Sequence, residues 1–324
     1  MSTTLRRIPF KAMGSHCEIQ FMGMSRIEGR KKLRPLLNEV QRLERKYSRY
    51  DPDSYLSEIN LMAGNRLGIK IDAETRLLLA HARSCFEQSD GLFDITSGLL
   101  RKAWDFTSGR VPDAQEIEQL LPHIGFDKLE ITRSRLIMPT GMEIDFGGIV
   151  KEYAADSLAR MARNLGIESG LVNLGGDFAV IGQMPGGHPW PVGIVHPDKK
   201  ENLMARLTLN QGGLASSGDY ERFFLHEGKR YSHLLNPKTG WPSDGLRAVS
   251  VAAELCTLAG TTATIAMLKP EAEGIAWLQE LGLDHVYMTA DGTIDGQGMT
   301  LVKVTSESQL EPQSSTSVNN HVIN

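Results

Sequence analysis

The chain has few of the features that mark the easily recognised protein classes. None of its 324 residues falls in a run approaching the ~18 consecutive apolar residues that a membrane helix needs. That excludes a helical membrane protein. Cysteine is scarce: Cys17, Cys85 and Cys256 are odd in number and far apart. They fit neither a disulfide framework nor a zinc pattern, and are expected to be small buried apolar residues in a reducing compartment. Aromatic residues make up only 6%, and 35 Lys+Arg against 39 Asp+Glu leave a net charge of −4 with no long basic run. A nucleic-acid binder carries a basic footprint, so that class is disfavoured. The opening MSTTLRRIPF lacks an apolar h-region, a small-residue cleavage site and a cysteine for lipidation, so a cytoplasmic protein is expected. What is present is an ordinary soluble balance, 41% hydrophobic and 23% charged, enough to bury a sizeable core.

Periodicity organises this material. Cys17, Ile19 and Phe21 alternate with polar neighbours as in a first strand. Leu33, Leu36, Leu37, Val40, Leu43 and Tyr47 recur at helical spacing and predict a helix over 30–47, with Pro35 in its first turns. Ser54 is placed to cap a short helix, and further helices are expected over 73–88, 151–165, 259–268 and 271–281, with another starting near Thr96. Segments 128–131, 135–139 and 142–146 read as a meander that delivers Asp145 to a Gly147-Gly148 turn. Gly170 to Gly182 reads as strand, glycine bend and strand; 192–195, 249–252 and 285–288 read as further strands. Strands and helices without regular βαβ alternation predict an α+β fold. The polar, aperiodic stretch 305–324 reads as a disordered tail, leaving 1–304 as the folded unit.

Two glycine-rich segments, Asp145-Phe146-Gly147-Gly148 and Leu174-Gly175-Gly176-Asp177, lack the third glycine of the dinucleotide fingerprint. Either alone is a tight turn. The first, however, ends a strand in a carboxylate and opens a helix with Lys151, so bare amides and a cation can meet a phosphate-bearing ligand. The stretch Tyr231-Ser232-His233-Leu234-Leu235-Asn236-Pro237-Lys238-Thr239-Gly240 places a histidine at a strand end before a Pro/Gly turn, where catalytic groups often sit.

Taken in order, SRYDPDSYLSEIN, DGLFDIT, IDFGGIVKEYAAD, LVNLGGDFAVIG, ASSGDYERFF, YSHLLNPKTGWP and AGTTATIAML resemble the flavin transferases, the FAD:protein FMN transferase family, across about residues 9–304. The resemblance implies a two-lobed α+β fold with mixed or antiparallel sheets and flanking helices, FAD bound between the lobes. It implies transfer of the FMN half of FAD to a threonine or serine hydroxyl of an acceptor flavoprotein, with Mg²⁺ required and AMP released, and no nucleic-acid or membrane partner. Residue by residue, Met13, Tyr50, Leu92, Phe93, Asp94, Asp145, Lys151 and Leu235 match flavin-nucleotide contacts. His233 matches the histidine that activates the acceptor hydroxyl, and Thr264 and the backbone of Gly148 match metal contacts.

Two departures stand out. Where the family has Lys-Gly-Tyr this chain has Lys151-Glu152-Tyr153, and where the family places a metal-binding aspartate four residues before the threonine it has Gly260. Glu152 either stands solvated on its helix or supplies, through a water, the metal-directed charge that Gly260 lacks. The missing aspartate keeps open a non-catalytic FAD-binding or flavin-delivery protein. A third reading, an interaction protein that kept only the fold, leaves His233 without a purpose.

Overall fold

The structure, a computed structural model, describes residues 4–220, 222–302 and the backbone of 321–322. Eight antiparallel strands form its central sheet, in the spatial order Arg6–Ala12, Ser15–Phe21, Gly170–Leu174, Asp177–Gly182, Gly213–Gly218, Ala248–Ala253, His285–Met288 and Ile294–Gln297. Among the described residues seven α-helices accompany it: α1 Arg26–Tyr47, α2 Tyr55–Leu61, α3 Ala73–Gln88, α4 Ala114–Leu120, α5 Val150–Asn164, α6 Cys256–Leu268 and α7 Glu271–Leu281. This is the α+β architecture expected from the sequence.

Strand residues alternate between two cores because successive side chains point to opposite faces. On one face Ile19, Val172, Ala179 and Val251 pack with Leu33, Leu36 and Val40 of α1 and with the apolar faces of α5 and α6. On the other, Leu171, Phe178, Val180 and Leu214 pack with Trp190, Val192, Ile194 and Met204 of a smaller sheet built on Trp190–His196 and Lys199–Leu209. A third cluster, Leu99, Leu100, Trp104 and Ile117 with Phe106, Phe224, Tyr231, Leu235 and Trp241, forms the heart of the smaller lobe. The indole of Trp104 donates to the carbonyl of Gly240 at 2.7 Å, which pins the turn after His233 to this aromatic core.

Several expectations need correction. Helix α1 begins at Arg26, capped by the Ser25 hydroxyl, so Pro35 lies in its third turn, on an exposed face. Segment 142–146 is not a strand. Ile144 exchanges both backbone bonds with the Asn60 side chain and the Asp145 amide donates to Ile95, so the backbone is satisfied without a ladder. The sheet there is made instead by Ile69–Lys70, Arg135–Ile137 and Glu130–Ile131. The edge strand Arg6–Ala12 was missed, its alternation of Ile8, Phe10 and Ala12 obscured by arginines and Pro9. The stretch expected as a tail lies outside the described residues except for His321–Val322, which pair parallel to Val192–Gly193.

Helices α5 and α6 set the geometry of everything that follows. Both carboxylate oxygens of Asp156 accept from the start of α6: Cys256 amide 2.9 Å, Thr257 amide 2.9 Å and Thr257 hydroxyl 2.6 Å. A side chain of one helix thus caps its neighbour, satisfying amides that have no intrahelical partner. One turn along each helix, Glu152 faces Gly260: a Cβ built on Gly260 would stand 2.6 Å from the Glu152 Cγ. At the far end of α5, Gly166, at φ +71°, and Ile167 return their amides to Arg163 and Ala162, the glycine C-terminus read from the sequence. Replacing Asp156 by Ala should cost about 2 kcal/mol of stability, because three hydrogen bonds and a cap are lost together. Chemical denaturation would show it, and a midpoint unchanged from the parent would refute the inter-helix cap.

Candidate active site

A cavity of about 490 Å³ opens where α5, α6 and the first hairpin meet the smaller lobe. It gathers the residues singled out from the sequence: Met13 from the hairpin, Tyr50 beyond α1, and Leu92, Phe93 and Asp94 beyond α3. Asp145, Gly148, Lys151 and Glu152 come from the entry to α5, His233 and Leu235 from the Trp104-pinned turn, and Thr264 from α6.

Each is held by identifiable local chemistry. Met13 and Gly14 form the two-residue turn of the first hairpin, both at positive φ (51° and 71°). Twist-matched hairpin turns need that conformation, and a methionine tolerates it poorly. The Met13 amide donates to Glu44 Oε1 at 2.6 Å, which holds the strained residue at the cavity wall. Asp94 caps a 3-10 helix over 95–102: one oxygen accepts from the Thr96 amide and hydroxyl, the other from the Phe126 amide. Burial nonetheless pushes its carboxyl above the usual aspartate range. Tyr50 is 75% exposed at the rim, an aromatic face open to a ligand.

Two of the cavity's cations are each held against a carboxylate. Asp145 accepts from Arg49 Nη1 at 2.8 Å and from the Gly147 amide at 2.9 Å, and Gly98 gives them room, since a Cβ there would stand 2.6 Å from the Asp145 Cβ. Lys151 Nζ stands 2.8 Å from the buried carboxylate of Asp177, whose other oxygen takes the Ser216 amide. The Ser217 and Thr264 hydroxyls lie 2.9 Å apart. Glu152 is buried, not solvated on its helix, with its carboxyl carbon in the space a side chain at 260 would claim.

His233 follows the strand Lys229–Ser232 and is partly buried. Its Nδ1 lies 3.2 Å from the Arg222 carbonyl. A carbonyl can only accept, so Nδ1 carries the proton and Nε2 keeps its lone pair. Loss of solvent and then the charge of Arg101, with Arg222 and Lys151 adding to it, lower the imidazole pKa from 6.5 to about 4. The result is a neutral base at physiological pH. The three cysteines are free and buried, and burial pushes every thiol up, so none offers a ready thiolate.

Sequence reasoning missed Arg49, Arg101, Asp177, Ser217 and Arg222, all of which line the cavity or pair with a lining residue. Asp177 was in view only as part of a glycine turn. The others carry no local signal, because their meaning comes from partners far away in the chain.

An α+β frame here holds a polar cavity with a neutral histidine and clustered cations, an arrangement suited in charge to a phosphate-bearing ligand. The sequence profile of the ApbE family matches residues 13–287, and the chain belongs to that family. It is 32% identical over 198 residues to the FAD:protein FMN transferase of Klebsiella pneumoniae (strain 342), covering 59% of this chain and 60% of that one. The chain thus spans less than two thirds of that relative's length. Among solved structures, the ApbE protein of Thermotoga maritima superposes with a TM-score of 0.83 at 30% identity, over 90% of this chain and 97% of that one. The apo flavinyl transferase ApbE of Pseudomonas stutzeri gives 0.80 at 26% identity, over 90% and 94%.

The depressed histidine has a measurable consequence. The folded protein binds the His233 proton more weakly than the unfolded chain, so its contribution to stability is complete above pH 6.5 and declines as pH falls from 6.5 toward about 4. Imidazole NMR of the free protein should place its midpoint near pH 4. A midpoint near 6.5 would mean that the ring stands in water.

Proposed function

We propose that this protein transfers the FMN half of FAD to a threonine or serine hydroxyl of an acceptor flavoprotein, with release of AMP. The observation that carries the reading is His233, a base with its Nε2 lone pair uncommitted, in a cavity lined with cations. A hydroxyl with a pKa far above neutrality needs such a base. In the step itself, the acceptor oxygen forms a bond to the FMN-side phosphorus while the bond from that phosphorus to the AMP oxygen breaks. Nε2 takes the hydroxyl proton, and AMP leaves with the bonding electrons. Lys151 and the amides at the start of α5 favour the diphosphate, and Met13, Tyr50, Phe93 and Leu235 supply apolar surface for the rings. The storage alternative leaves the tautomer and depressed pKa of His233 unused, so transfer is favoured.

Mg²⁺ is implied by the family resemblance, and the residues present suit it. Among the described residues no three His, Cys, Asp or Glu side chains gather into a protein-only metal site. Mg²⁺ does not need one, since it keeps several waters and takes one or two carboxylates plus phosphate oxygens. Glu152, the Thr264 hydroxyl and the Gly148 backbone share the cavity and form such an oxygen set. When bound, the ion would neutralise charge on the diphosphate. On this reading Glu152 occupies the space of a residue-260 side chain and carries its charge. A cytoplasmic site of action, without membrane or nucleic acid, accompanies the proposal. It is supported by the three free, buried thiols. No helix among the described residues is long and apolar enough to cross a membrane.

The decisive assay incubates the protein with FAD, Mg²⁺ and an acceptor bearing an exposed threonine. Covalent FMN and AMP are expected in equal amounts. His233→Ala should slow transfer by roughly 10²–10⁴ with FAD affinity nearly unchanged; a matching loss of affinity would make His233 a binding residue instead.

The exchange at 152 and 260 is testable by binding alone. Gly260→Asp should destabilise the protein by about 1–3 kcal/mol, since the new Cβ stands 2.6 Å from the Glu152 Cγ. Combining it with Glu152→Gly should recover both stability and a Mg²⁺-dependent FAD affinity, which Glu152→Gly alone should lose. Mg²⁺ dependence that survives Glu152→Gly would take Glu152 out of the metal site.

A further inference from the structure

Four cations line the cavity, and they are not equivalent. Arg49 is answered by Asp145 and Lys151 by Asp177. Arg101 and Arg222 line the same cavity with no ion pair among the described residues. Both flank His233. Arg222 does so through its own carbonyl, which accepts the His233 amide at 3.0 Å and faces Nδ1 at 3.2 Å. Arg101 reaches the site from the last turn of the 3-10 helix over 95–102.

We infer that Arg101 and Arg222 form an anion-binding pair that holds the phosphoryl group under attack against His233. The inference rests on the transferase reading and deepens it. Guanidinium groups without a carboxylate, facing one cavity, are matched in charge and hydrogen-bonding geometry to phosphate oxygens. Arg49 and Lys151 are less suited to that task, because each already has a carboxylate within 2.8 Å.

The pair also couples occupancy to basicity. The cations facing His233 are Arg101 from the 3-10 helix, Arg222 from the entry to the hairpin and Lys151 from the first turn of α5. The carboxylates that line the cavity are engaged elsewhere: Asp145 with Arg49, Asp94 with the Thr96 and Phe126 amides, Glu44 with the Met13 amide, and Glu152 packed against Gly260. In the free protein loss of solvent, and then the uncancelled positive charge, keep the imidazole neutral. A diphosphate seated between the arginines cancels that charge, and the affinity of Nε2 for a proton rises when the acceptor hydroxyl must give one up. Water reaching an empty site then meets a weak base, and an acceptor reaching a loaded site meets a stronger one.

The test uses the full chain with Arg101→Gln, Arg222→Gln and the double variant. Dissociation constants are measured by flavin fluorescence for FAD and for riboflavin, which has the same ring system and no phosphate. Each single change should weaken FAD about tenfold and the double change more, with riboflavin affinity unmoved. Arg→Lys versions should recover part of the loss, since the charge is kept and the fork is not. Imidazole NMR should show the His233 midpoint rising when the parent protein binds FAD, and not when the double variant is saturated with it. FAD and riboflavin weakening in parallel would make the arginines structural and overturn the inference. So would unchanged FAD affinity, or a His233 midpoint insensitive to FAD in the parent. AMP release by the parent decides the transferase reading separately: its absence sinks that reading, while the comparison of FAD with riboflavin still decides this one.

Discussion

The close approach of α5 to α6 is the constraint on which the site depends. Asp156 caps the start of α6, Glu152 one turn away occupies the space left by Gly260, and beyond them the entry of α5 and Thr264 line one cavity. A helix repeats its face about every four residues, so one fixed contact at Asp156 sets the register of the others. The small residues Ala259, Gly260 and Ala263, all buried, let the two helices come this near. Gly260 is therefore the residue that gives Glu152 its place.

The rest of the site is an arrangement of charge around that helix pair. Strongly interacting groups are neutralised within the protein, Arg49 by Asp145 and Lys151 by Asp177, and their geometry is fixed before any ligand arrives. Loss of solvent, with the charges of Arg101 and Arg222 added to it, keeps His233 neutral. The aromatic core of the smaller lobe makes this possible, since Trp104 holds the turn that follows the histidine and Phe224 and Tyr231 stack beneath its strand.

Much of the framework was legible before any coordinates. Helices α3 and α7 run over the residues that periodicity marked, as does the strand 285–288, because a strong apolar stripe with turn residues at both ends leaves little freedom. The segment 142–146 was misread because its alternation is real while its hydrogen bonds go to Asn60, far away in sequence. The family resemblance grouped His233, Lys151 and Thr264, and all three line one cavity; Lys151 opens α5 and His233 follows a strand, whereas Thr264 lies inside α6.

What the sequence by itself determined is the set of elements, the α+β class, the family and a list of polar groups at element ends. The elements and the class follow from local periodicity, capping and turn chemistry, and the family from the resemblance of the ordered motifs. Only the tertiary structure decided which charges neutralise each other and which remain, that Glu152 is buried against Gly260, and that His233 falls under the charges of Arg101 and Arg222. The physical reason is range. Periodicity acts over a few residues, whereas the pairs Arg49–Asp145, Asp156–Thr257 and Ser217–Thr264 join residues dozens of positions apart, whose energies exist only once the sheet has brought them together.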